Sequence, residues 1–135
     1  MASIFTKIIQ GEIPCYKVAE SDDCFAFLDI NPMTIGHTLV VPKVEVDYLF
    51  DLSEDSYIKL QLFAKKVALA LDKTIPCQRV GTIVIGTEVP HAHIHLLPFE
   101  EEAVFNISRR RLSIEPEQMK DIAKKVSKAF ESLSA

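Results

Sequence analysis

The chain has 135 residues, enough for one real core and short for two, and with 48% hydrophobic and 25% charged residues its composition is globular, not disordered. A net charge of −4 argues against a nucleic-acid backbone as partner, while a small anion can still be held by a local cluster of donors. No stretch reaches the roughly 18 apolar residues of a membrane span, the segment from Met1 to Lys7 lacks the apolar centre of a signal peptide, and the odd cysteines Cys15, Cys24 and Cys77 form no CxxC, so reduced thiols in a cytoplasm are expected.

Ile4 to Gln10 reads as a short helix ended by Gly11 and Pro14. Tyr16 to Ala19 and Cys24 to Ile30 read as two strands across the turn Glu20-Ser21-Asp22-Asp23. Asn31-Pro32 is a turn signal, and His37 to Val41 is a third strand stopped by Pro42. Asp51 or Ser53 can cap a helix to about Asp72, with Glu54 favourable in its first turn. Tyr57, Leu60, Ala64, Val67 and Leu71 recur at helical spacing, and Leu62, Phe63 and Leu69 widen that face, so it is expected to be well buried.

Arg79 to Ile85 is β-branched and apolar, hence a strand, with Gly86 after it. His91 to Leu97 is the next strand, stopped by Pro98, and the short connection predicts antiparallel pairing. Glu100 to Glu115 is polar without a period. Pro116 opens a last, amphipathic helix carrying Met119, Ile122, Val126, Phe130 and Leu133 on one face. This order predicts an α+β fold, an antiparallel five-stranded sheet with two main helices.

Three of the four histidines stand in His91-Ala92-His93-Ile94-His95-Leu96-Leu97, two apart. On a strand that spacing puts the three rings on one face and Ala92, Ile94 and Leu96 on the other. Two chemistries suit such a row. A neutral imidazole is a good nucleophile at pH 7, because its unperturbed pKa is about 6.5, and neighbouring rings can donate to phosphate oxygens. Three histidines and a water can equally hold a catalytic zinc ion. Outside the row, His37 reads as structural, Asp29 as a turn carboxylate or a ribose acceptor, and Phe5, Ile8 and Phe27 as core. Arg109-Arg110-Arg111 could touch phosphate, but a short charge run of this kind reads first as a solvated loop.

His91 to Leu97 resembles the histidine triad motif, which defines the HIT family of nucleotide hydrolases and transferases. Ser3 to Ile9, Glu12-Ile13-Pro14, Phe25 to Ile30, Pro32 and Gly36 to Lys43 are similar, in the same order, to the Hint-type phosphoramidase branch. The resemblance implies a HIT domain over residues 1–135, with a divergent tail from about residue 99. It implies a homodimer with a continuous sheet, a purine nucleotide as substrate, hydrolysis at the α-phosphate and no cofactor. It makes His93 the nucleophile, His91 and His95 its neighbours and His37 their support. It makes Asp29 the ribose acid, Phe5, Ile8, Phe27 and Ile30 the base wall, and it puts Thr87 and Glu88 on the leaving-group side. His95 stands where the uridylyltransferase branch typically has Gln, which favours a hydrolase. The chain departs from many relatives in the shorter segment Ile85 to Pro90, which lacks their Asn and Gly-Gln. Ser3 and Thr6 stand where some bacterial members begin a zinc site with two cysteines, so no structural metal is expected.

Overall fold

The structure is a computed structural model that describes residues 2–105 and 111–133. In chain order it contains helix α1 (Ile4–Ile9), strands β1 (Lys17–Glu20), β2 (Cys24–Leu28) and β3 (Thr38–Pro42), helix α2 (Glu54–Thr74), strands β4 (Arg79–Ile83) and β5 (Ile94–Phe99), and helix α3 (Pro116–Ser132). The strands form one antiparallel sheet in the order β1-β2-β3-β5-β4. The fold is the expected α+β arrangement of a five-stranded antiparallel sheet with two main helices. Among the described residues, no helix is long and apolar enough to cross a membrane.

Strand alternation sorts the side chains onto two faces. Ala26, Leu28, Val40, Ile94 and Leu96 point to one face and pack in a single cluster with Leu60, Val67 and Leu71 of α2 and Ile122 and Val126 of α3. Phe25, Phe27, Leu39 and Val41 point to the other and pack with Phe5 of α1. The first face carries most of the buried apolar area, which is the main favourable term in folding. The second, more thinly covered face is where the histidines lie.

Ser53, not Asp51, caps α2: its hydroxyl accepts from the Ser56 N–H, while Asp51 ends a 3₁₀ turn. The buried face of α2 is narrower than its sequence suggests, since Leu62 is 63% and Leu69 44% exposed. Strand β4 ends at Ile83 rather than Ile85, and β5 begins at Ile94 rather than His91. The cause is local. Pro90 has no N–H to offer a ladder, and the Ala92 N–H donates at 2.7 Å to the Val46 carbonyl, outside the sheet. Strand β5 runs through Pro98 instead of stopping before it. Its pairing with β3 reaches only Leu96, so Pro98 lies beside an open edge.

The tail is fastened to the site by its backbone. The Leu112 N–H donates at 2.8 Å to the Pro32 carbonyl, which sets residues 111 and 112 against the turn after β2.

A histidine-lined cleft as candidate active site

Each histidine is held by a different element. His91 has no exposed surface, and both of its ring nitrogens are engaged. Nε2 donates to the Pro42 carbonyl at 2.7 Å, at the end of β3. A carbonyl can only accept, so Nε2 carries a proton. In the neutral ring Nδ1 is then an acceptor, and the Ser3 hydroxyl lies 2.7 Å from it.

His93 Nδ1 donates at 2.8 Å to the carbonyl of His91. The same logic leaves the lone pair on Nε2, the nitrogen suited to attack an electrophile. Phe5 stands edge-on to this ring, with centroids 4.9 Å apart. Burial pushes the His93 pKa below its ordinary value, against the bond to the His91 carbonyl, which favours the proton.

His95 and His37 form a relay of fixed polarity. The Met33 N–H donates to His37 Nδ1 at 3.0 Å, so His37 carries its proton on Nε2. That nitrogen lies 2.9 Å from His95 Nδ1, which must accept. His95 is therefore left with an Nε2–H to donate. Burial, then the neighbouring His95, pushes His37 down to about 3. Burial, then His93, pushes His95 down to about 4. Burial thus favours the neutral form of His37, His93 and His95.

His93 and His95 open onto a cleft of about 280 Å³, at the small end of sites for small molecules. Phe5, Met33, Leu39 and Ile83 give it apolar walls, and Asp29, Thr87, Glu88 and Arg111 give it polar ones. Asp29 Oδ1 accepts from the Asn31 N–H at 2.8 Å, the turn role read from sequence. Its Oδ2 lies 3.6 Å from His37 Nε2 and 4.0 Å from Arg111. Burial raises the Asp29 pKa, opposed by the Asn31 N–H and the Arg111 charge.

The expected site residues divide on this geometry. His93, His95, Phe5, Asp29, Thr87 and Glu88 line the cleft, with His37 and His91 directly behind its histidines. Phe27 is buried in the cluster beneath Phe5, with Ile8 packed against that cluster, and Ile30 is 69% exposed. Arg111 is exposed, as its reading as a solvated loop has it, and it also lines the cleft, whereas Arg109 and Arg110 lie outside the described residues. Leu39 was legible in principle, because it lies on the His37 face of β3 and pairs with His95. Arg111 was legible only as one of a short run of arginines that could touch phosphate.

The three histidines of the row do not bring their ring nitrogens together as one ligand group. Among the described residues, the group with ligand atoms all within 4.8 Å of one another is Asp29, His37 and His95, not the triad. A cation there would have to displace the proton shared between His37 and His95.

A five-stranded antiparallel sheet with this histidine row defines a recognisable class. The HIT domain family model matches residues 10–102, and the chain belongs to that family. It is 38% identical over 133 residues to an uncharacterized HIT-like protein of Borreliella burgdorferi, covering 92% of this chain and 95% of that one. It is 35% identical over 130 residues to the adenosine 5'-monophosphoramidase hnt1 of Schizosaccharomyces pombe, covering 94% and 97%. The crystal structure of a Hit-like protein from Bartonella henselae superposes with a TM-score of 0.82 at 30% identity, covering 94% of this chain and 95% of that one.

Proposed function

We propose that this protein is a nucleotide hydrolase. In this reading residues 1–135 act as one HIT domain that cleaves purine nucleoside phosphoramidates or dinucleoside polyphosphates at the α-phosphate. The observation that carries the reading is the tautomer pattern. His93 presents a lone pair and His95 presents an N–H, side by side in one cleft, with ring centroids 5.0 Å apart. The family membership and the phosphoramidase name of the fission-yeast relative support the substrate class.

In this mechanism His93 Nε2 attacks the α-phosphorus. The N–P bond forms as the bond to the leaving group breaks, and the leaving group takes a proton from solvent. The Nδ1–H stays on the His91 carbonyl, which stabilises the positive nucleotidyl-imidazole. The His95 Nε2–H donates to a phosphoryl oxygen where negative charge develops. Water then attacks phosphorus, the N–P bond breaks, His93 recovers its lone pair, and the water proton returns to solvent. Asp29 accepts from the ribose hydroxyls, and Phe5 forms the base side within the cleft, with Phe27 and Ile8 packed behind it and Ile30 extending that wall beyond the cleft. No cofactor is needed, since each step uses groups of the chain and water.

His93→Ala should lose several orders of magnitude in kcat on an adenosine phosphoramidate. Full activity in that variant would overturn the reading. The carboxylate of Glu88 in the cleft favours a second reading, a nucleotide-binding module with little turnover. Tight binding of a purine mononucleotide without hydrolysis by the wild type would select it.

We also propose a homodimer in a reducing cytoplasm. Strand β4 is an open sheet edge followed by the exposed Val84 and Ile85, and α2 exposes Ile58, Leu62 and Leu69. The three cysteines are unpaired. Sedimentation of only a 15.2 kDa species at micromolar concentration would contradict the dimer.

A further inference from the structure

The loop after β3 grips the histidine row from behind at two points. One is the backbone bond from the Ala92 N–H to the Val46 carbonyl. The other begins at the adjacent residue, Glu45. Its Oε1 accepts from the Ser3 N–H at 2.7 Å and from the Thr6 hydroxyl at 2.6 Å. The Ser3 hydroxyl in turn accepts from the Thr6 N–H at 3.0 Å and meets His91 Nδ1 at 2.7 Å.

The proton count gives this cluster a direction. The Thr6 hydroxyl has one proton, and the carboxylate takes it. Thr6 Oγ1 therefore has nothing to donate to the Ser3 oxygen, 3.3 Å away, or to His91 Nδ1, 3.5 Å away. The Ser3 hydroxyl has one proton for Thr6 Oγ1 at 3.3 Å or His91 Nδ1 at 2.7 Å, and the shorter contact, together with the proton that the Pro42 carbonyl requires on Nε2, assigns it to His91 Nδ1. The two bonds to Glu45 hold its carboxyl below the ordinary value, so it is an acceptor throughout the neutral range.

The next link leads into the cleft. The His91 ring is fixed at both nitrogens, and its carbonyl is the acceptor that orients His93. We infer that Glu45 is a positioning residue for His93, acting through Thr6, Ser3 and His91. Glu45 lies outside the cleft lining and touches no substrate in this scheme. Its function is to keep the Ser3 hydroxyl aimed, and so to keep one orientation of the attacking ring. The inference rests on the hydrolase reading for its kinetic consequence, but not for its structural one.

Both consequences can be read separately. Glu45→Ala should lower kcat on an adenosine phosphoramidate by roughly tenfold to hundredfold, the usual scale for a misplaced reacting group, with KM unchanged. The nitrogen-15 resonances of the His91 and His93 rings should shift in the same variant. Glu45→Gln keeps an oxygen acceptor and should restore most of both. Unaltered ring resonances in Glu45→Ala would overturn the inference, as would a rise in KM with kcat intact. Equal losses in the Ala and Gln variants would overturn it too. If the wild type hydrolyses no nucleotide, the hydrolase reading fails, and the ring resonances alone decide whether Glu45 positions His93.

Discussion

His37 Nε2 lies 2.9 Å from His95 Nδ1, and because the Met33 N–H occupies the other nitrogen of His37, the proton between the two rings belongs to His37. A single backbone amide at the start of the Met33–Gly36 turn thus decides which nitrogen of His95 can donate into the cleft.

His37→Ala removes that instruction. His95 would then populate both tautomers, and the one protonated on Nδ1 has no N–H for a phosphoryl oxygen. We expect kcat to fall on the order of tenfold to hundredfold, as for other residues that orient a functional histidine, with a smaller change in KM. Nitrogen-15 shifts of His95 should show the mixed tautomer. A single His95 tautomer and unchanged kcat would refute the relay.

The same burial makes stability depend on pH. An unfolded histidine titrates near 6.5, whereas folded His37 and His95 titrate at about 3 and about 4. Below pH 6.5 the unfolded chain therefore binds protons that the folded one refuses. Stability is full above that value and falls as the pH drops toward 4, by about 1.4 kcal/mol per pH unit for each group at full slope. His93, also lowered, acts in the same direction. Asp29 is raised by burial and opposes the fall only close to carboxylate pH values. Urea midpoints should be level from about pH 7.5 to about pH 6.5 and decline from there to about pH 5. Equal midpoints would mean that these rings are not held neutral.

Much of this site was legible in the sequence because strand parity is a strong constraint. The spacing of His91, His93 and His95 put Ala92, Ile94 and Leu96 on the opposite, core-facing side, and the structure has them there although the strand itself begins only at Ile94. Phe5 and Asp29 were legible only through the family resemblance, since periodicity alone gives core and turn for them. Ile8, Phe27 and Ile30 come from the same resemblance and lie outside the cleft lining. The contribution of Glu45 was not legible at all, and Arg111 was legible only as part of a charge run that could touch phosphate. Both arise where the chain folds back over a long sequence separation, 42 residues from Glu45 to Ser3 and 80 from Arg111 to Asn31. No local pattern encodes such a meeting.

Asp29 separates recognition from chemistry. A carboxylate that accepts from both ribose hydroxyls binds ground and transition states alike, so its loss should raise KM more than it lowers kcat. Charge-assisted bonds of this kind contribute about 1.5–3 kcal/mol, a roughly tenfold to hundredfold change in affinity. Asp29→Asn is the better variant, because it keeps an oxygen for the Asn31 N–H and so preserves the turn. A 2′-deoxynucleotide should bind wild type much more weakly than the ribonucleotide, and Asp29→Asn with little preference. An unchanged preference in the variant would reduce Asp29 to a turn residue.

Glu88 can decide between the two substrate classes. It lines the cleft with His93, and its charge favours protons on His93 and Asp29. A polyphosphate leaving group brings several negative charges past this exposed carboxylate, whereas the amine released from a phosphoramidate brings none. In water each pair of like charges near 4 Å costs about 1 kcal/mol, roughly fivefold in rate. Glu88→Ser should therefore raise kcat/KM for a dinucleoside polyphosphate by about fivefold or more and leave an adenosine phosphoramidate nearly unaffected. High salt should shrink the difference, because exposed charges are screened within about 3 Å at 1 M. If both substrates respond equally, or salt has no effect, Glu88 does not face the leaving group, and the cleft must take its substrate in another orientation.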